Sequence, residues 1–175
     1  MTTFYFVRHG LMDDKEMNTK IYQGLGINAL TLSNEGIEQI KKTALDERLK
    51  GADIIITSPY GRALHSAAIL SKELNIDLKI ETNLHEWVSD RDYKYLPFEE
   101  EMKSLQEFIE KSGKRDGTCK YNWEDLEGLC KRVSSVIEKY KGLDKVIVVT
   151  HGLVMNCFLG VGDLDNGQIE EFVMK

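Results

Sequence analysis

The sequence predicts an α/β protein: a three-layer α/β/α sandwich around a mostly parallel central sheet. Short apolar runs recur along the chain without strict polar alternation, as strands buried on both faces require. Stretches of helical periodicity separate them in the order β, α, β, α, β, α, α, β, α, β. The chain's 175 residues are 42% hydrophobic and 30% charged with two prolines. That is enough apolar material for a real core, at the size of one ordinary domain.

The first strand is read at residues 4–7, Phe-Tyr-Phe-Val. Ser33 is placed to N-cap a helix whose apolar stripe is Ile37, Ile40, Ala44, Leu45 and Leu49. A second strand follows at residues 54–56, and Pro59 suits the first turn of a helix carrying Leu64, Ala67, Ser71 and Leu74. Residues 78–80 make the third strand. Phe98, Met102, Leu105 and Ile109 mark a third helix and, by their spacing, a core-facing stripe. Its acidic opening, residues 99–101, reads as a solvated helix start. After a glycine-flanked loop at residues 113–117, Leu126, Leu129, Val133, Ile137 and Tyr140 mark the fourth helix. The fourth strand lies at residues 146–149, with a helix beginning near Gly152. Asp165-Asn166-Gly167 turns the chain into a last strand over residues 168–173, expected antiparallel and near an edge. The whole of 1–175 is read as one domain, with a helical cap within residues 87–141.

Composition narrows the function. A formal net charge of −6 lacks the basic face that nucleic acid or an anionic membrane needs, while a few local arginines can still hold a small anion. Cys119, Cys130 and Cys157 are odd in number and widely spaced, so neither a disulfide framework nor a zinc site is expected. The sixth position after each is Asp125, Val136 or Asp163, so no Cys-x5-Arg loop exists. No basic leader and no run of ~18 apolar residues occurs, which predicts a cytoplasmic protein outside the membrane. No carboxylate, histidine or cysteine cluster has metal-ligand spacing, and no cofactor is expected.

Chemistry concentrates where strands end. Arg8-His9-Gly10 closes the first strand and Thr150-His151-Gly152 the fourth. In an open α/β sheet that carboxyl edge is where ligands bind. A helix beginning at Gly152 would offer free N–H groups to an anion. Ser58-Pro59-Tyr60-Gly61-Arg62 leaves the second strand and returns Arg62 over the same edge. Leu84-His85-Glu86-Trp87 follows the third strand and sets a carboxylate beside an indole, which can desolvate it and raise its pKa. His65 and His85 are read as bystanders, whereas Tyr93, Tyr95 and Trp123 are candidates to wall a substrate.

These motifs, with Gln23-Gly24, Leu32-Ser33-x-x-Gly36-x-x-Gln39 and Ser66-Ala67, occur in the order characteristic of the histidine phosphatase superfamily, which the chain resembles over most of its length. The resemblance implies a phosphoglycerate mutase-like fold in which His9 is the nucleophile. It further implies that Arg8, Arg62 and His151 bind phosphoryl oxygens and that Glu86 is the proton donor. Asn18, Gln23, Gly24 and Gly152 would complete the binding site. The implied activity is a metal-independent phosphomonoesterase acting on a small phosphorylated metabolite through phosphohistidine. Mutase-type transfer and a catalytically silent phospholigand binder are the alternatives. The short stretch after the last strand leaves water access open and favours hydrolysis. Departures from the family pattern lie at Leu11, where an acidic residue is usual, in a longer segment over residues 12–19, and at Asn28-Ala29-Leu30-Thr31-Leu32.

Overall fold

Five strands form one sheet in the order β3-β2-β4-β1-β5: β1 (Thr2–Arg8), β2 (Ile54–Thr57), β3 (Leu78–Ile80), β4 (Lys145–Thr150) and β5 (Ile169–Met174). The first four are mutually parallel, and β5 runs antiparallel to β1 along one edge. A computed structural model describes residues 1–17, 19, 22 and 24–175, Leu25 by its backbone alone. Central β1 and β4 are apolar without alternation because both their faces are covered. Phe4, Phe6, Val146 and Val148 face one core, and Tyr5, Val7, Ile147 and Val149 the other. Against the first face pack α4 (Leu126–Lys139), through Leu129, Val133 and Ile137, and α5 (Gly152–Leu159), through Val154 and Met155. Against the second pack α1 (Asn34–Thr43), through Ile40, and α2 (Gly61–Leu74), through Ala63, Ala67 and Leu70. Helices thus cover both faces of a mostly parallel sheet, giving three layers.

Caps set several boundaries. The Ser33 side chain accepts from the Gly36 amide and starts α1, as expected. The helix stops at Thr43, short of the predicted stripe, because Asp46 caps a separate 3-10 turn, Glu47–Leu49, by accepting from the Arg48 amide. Leu49 is buried from that turn, whereas Leu45 is 75% exposed and belongs to no core. Pro59 lies before α2, whose N-cap is Tyr60.

The third helix, α3 (Phe98–Glu110), departs most from expectation. Phe98 and Ile109 are 66% and 62% exposed, and of the predicted stripe Leu105 alone packs against the core. The buried edge is Ser104 and Phe108. Ser104 Oγ donates to the Ser89 carbonyl at 2.9 Å, and the Phe108 ring sits between Trp87 and Trp123 at centroid distances of 5.3 and 5.4 Å. These contacts rotate the helix so that its apolar stripe lies on an outer flank. Trp123 is fully buried, with Nε1 donating to Glu107 Oε2 at 2.8 Å. It is a core residue and walls no substrate site.

Candidate active site

The carboxyl ends of the parallel strands open into a cavity of about 380 Å³. Arg8, His9, Arg62, Glu86 and Asn166 form its polar floor. His9 is held from several sides. Its amide donates to the Thr150 carbonyl at 3.1 Å, and its carbonyl accepts from Asn166 Nδ2 at 2.9 Å. The next residue must be glycine, since a Cβ on Gly10 would lie 2.5 Å from the Gly36 carbonyl oxygen.

The ring is equally fixed. His9 Nδ1 lies 2.8 Å from the Gly10 carbonyl, an acceptor that keeps the proton on Nδ1 and leaves the lone pair on Nε2. Arg62 Nε donates to Nε2 at 3.2 Å. Burial pushes the His9 pKa down to about 3, with Arg62 and Arg8 adding to the effect and the Gly10 bond opposing it. The imidazole is therefore neutral at ordinary pH.

Arg62 reaches this position from the first turn of α2, with its guanidinium 5.3 Å from the centre of the Tyr60 ring. Burial lowers its pKa, and Glu86, Tyr60 and Glu101 act against that loss. Arg8 donates through Nη1 to the Leu164 carbonyl. A Cβ on Gly152 would lie 3.2 Å from Arg8 Nε, so Gly152 gives the guanidinium room across the start of α5. Glu86 accepts from the Trp87 amide at 2.8 Å through Oε1. Burial raises its pKa above the ordinary carboxylate value, against the Trp87 amide, Arg62 and Arg132.

His151 stands behind His9, not on the cavity wall. It is fully buried, its ring edge-on to His9 at a centroid distance of 5.1 Å. Nε2 lies 2.8 Å from Ser58 Oγ, and Nδ1 has no hydrogen-bond partner among the described residues. Burial holds its pKa well below the usual histidine value, and the positive Arg62 adds to this. Gly24 lines the cavity; Asn18 and Gln23 lie outside the described residues. His65 Nδ1 accepts from the Leu32 amide at 3.3 Å, a packing role. His85 is buried with Nδ1 2.7 Å from the Glu86 carbonyl, and it lines a second, smaller recess beside Arg91, Tyr93 and Glu124.

Three contributors escaped the sequence reading. Asn166, by sequence a turn residue, lines the cavity and donates to the His9 carbonyl. Glu101, read as part of a solvated helix start, lines the cavity. The third is Arg132 on α4, which forms a two-pronged ion pair with Glu124 at 2.6 and 2.9 Å. Its Nη1 also donates to the Asn83 and His85 carbonyls at 2.7 and 2.8 Å, and Nη2 to the Glu86 carbonyl at 3.4 Å. Both partners are nearly buried, at 11% and 10% side-chain exposure. Arg132 thus ties together the segment that carries Glu86. The available signal was the charged pair Lys131-Arg132 between the core residues Leu129 and Val133.

The sequence matches the family model of the histidine phosphatase superfamily (branch 1) over residues 4–174. The chain belongs to this superfamily. Its fold is similar to that of mycobacterial glucosyl-3-phosphoglycerate phosphatase, with a TM-score of 0.71 and 17% identity over 97% of this chain and 89% of the other. Bacillus stearothermophilus YhfR gives a TM-score of 0.72 and 19% identity over 100% and 92%. Phosphoglycerate mutase from Bacillus anthracis str. Sterne gives 0.70 and 19% over 97% and 86%. No curated protein matches the sequence. This histidine phosphatase superfamily member therefore shares its fold with both phosphatases and a mutase.

Proposed function

We propose that the protein is a metal-independent phosphomonoesterase that hydrolyses a small phosphorylated metabolite through a phosphohistidine on His9. The observation that carries this reading is the His9 ring. It is neutral, protonated on Nδ1 by its bond to the Gly10 carbonyl, and presents the Nε2 lone pair beside Arg62. In the first step Nε2 attacks phosphorus while the P–O ester bond breaks, and the Glu86 carboxyl gives its proton to the leaving oxygen. In the second, the Glu86 carboxylate takes a proton from water as that water attacks phosphorus. The N–P bond breaks, releasing phosphate and neutral His9.

Charge in a loose phosphoryl transition state spreads over three oxygens, so fixed cationic and N–H donors supply most of the catalysis. Arg8 and Arg62 are the cations. His151, fully buried behind His9, backs that ring edge-on and does not face the cavity. The N-terminus of α5 adds its dipole. Rapid quench with a phosphate ester should trap an acid-labile, alkali-stable phosphoenzyme that is absent from His9→Ala, and turnover should survive exhaustive chelation. Label on serine or aspartate, ligand binding with no label at all, or transfer to 3-phosphoglycerate in preference to water would each overturn the proposal.

A further inference from the structure

The cavity floor carries Arg8 and Arg62, whereas the walls above it are mostly aromatic and aliphatic. Tyr60, Tyr93 and Tyr95 line it together with Met12, Ile27 and Leu96, and its volume of about 380 Å³ is far more than a phosphoryl group fills. The remainder of the space is available to the alcohol or phenol that leaves. Two carboxylates also line the cavity, Asp90 and Glu101, the latter solvent-exposed and within electrostatic reach of Arg62. Asp90 Oδ1 accepts from the Asp92 amide at 2.8 Å, which fixes that carboxylate on its turn. Among the described residues the cation on these upper walls is Lys94, and its ammonium lies 3.3 Å from Asp92.

A leaving group in this space meets aromatic and aliphatic surface and two negative charges. Tyrosines offer large rigid contact area at little entropic cost. A second anionic group on the substrate would be brought from water towards two like charges, and selectivity built this way acts by repulsion as much as by attraction. We propose that the site selects phosphomonoesters whose leaving group is uncharged and presents a flat or apolar face, and that Asp90 and Glu101 reject esters bearing a carboxylate or a second phosphate. This inference rests on the phosphomonoesterase reading above.

Matched probes isolate the charge: phenyl phosphate against 4-carboxyphenyl phosphate, and glycerol 3-phosphate against 3-phosphoglycerate. The para-carboxylate makes the phenol no worse a leaving group, so lower kcat/KM reports rejection. The wild type should favour the uncharged member of each pair by about tenfold, the scale of two carboxylates acting on one charge across a solvent-connected cavity. The Asp90→Asn, Glu101→Gln double variant should narrow both ratios to about twofold or less by raising kcat/KM for the charged esters. Equal rates within the pairs, a preference for the charged ester, or ratios unchanged in the double variant would overturn the inference while leaving the phosphatase reading intact. No turnover of any probe together with no label on His9 would take down both.

Discussion

A histidine can serve as a nucleophile only while one nitrogen keeps its proton and the other its lone pair, and at His9 the backbone meets the first condition and burial the second. The Gly10 carbonyl fixes the tautomer, and burial holds the pKa at about 3, so titration of His9 leaves the rate untouched across the ordinary pH range. Glu86 behaves in the opposite sense, because its raised pKa lets it stay protonated above the ordinary carboxylate range. Phosphorylation by an alkyl phosphate should therefore show an alkaline limb as pH rises through the Glu86 pKa. In Glu86→Gln that limb should vanish, and the burst should slow on the order of 10²- to 10⁴-fold with alkyl phosphates but only a few-fold with p-nitrophenyl phosphate. Equal slowing of both bursts would show that Glu86 packs or positions without giving a proton. His9, Arg62 and Glu86 were legible in the sequence because each sits beside a strand end that local apolar runs reveal. Asn166 and Glu101 were not, because what brings them to the cavity is the path of the chain through space.

At the scale of elements, α4 fixes the segment carrying Glu86 through Arg132. Arg132→Met leaves Glu124 buried and unpaired and should cost about 3–5 kcal/mol in unfolding free energy. Adding Glu124→Gln removes that orphan charge and should recover most of the stability. If Arg132 positions the carboxyl, the double variant should still show a lowered kcat with alkyl phosphates and a nearly normal rate with p-nitrophenyl phosphate, at unchanged KM. Full recovery of both rates would reduce the pair to a packing device. The strands and α4 were readable because their apolar runs or stripes meet the core they predict. The limits of α1 and the facing of α3 were not. Asp46 caps a new turn that ends one stripe, and Trp87 and Trp123 select the Phe108 edge of the other. Periodicity reports that a helix has an apolar side, and its neighbours decide which edge is covered.

For the molecule as a whole, burial of uncharged histidines links catalysis to acid sensitivity. The pKa values of His9, His85 and His151 are all lowered, chiefly by burial. Between the unfolded value near 6.5 and the depressed folded values, the unfolded chain binds more protons than the native one, so stability falls as pH falls. The slope is at most about 1.4 kcal/mol per pH unit for each such histidine. Urea midpoints should thus drop from pH 7 to pH 5. His151→Asn should flatten that dependence even where it lowers stability at pH 7; an unchanged slope would mean that His151 is charged in the fold.

The place of β1 in the sheet carries a consequence for how the protein is made. Its two neighbours are β4, reached from residue 145 onwards, and β5, which begins at Ile169. At roughly 5–20 residues per second of synthesis, this strand, with its Phe4–Val7 apolar run, waits on the order of 10 seconds or more after it is translated for a native partner. The contacts that seat the His9 backbone come from Thr150 and Asn166, so the His9 site is assembled only after residue 166 has been made. Non-local pairing of this kind makes folding slow, and nascent chains stalled before residue 145 would expose β1 as an adhesive segment for chaperones or for other copies of the chain.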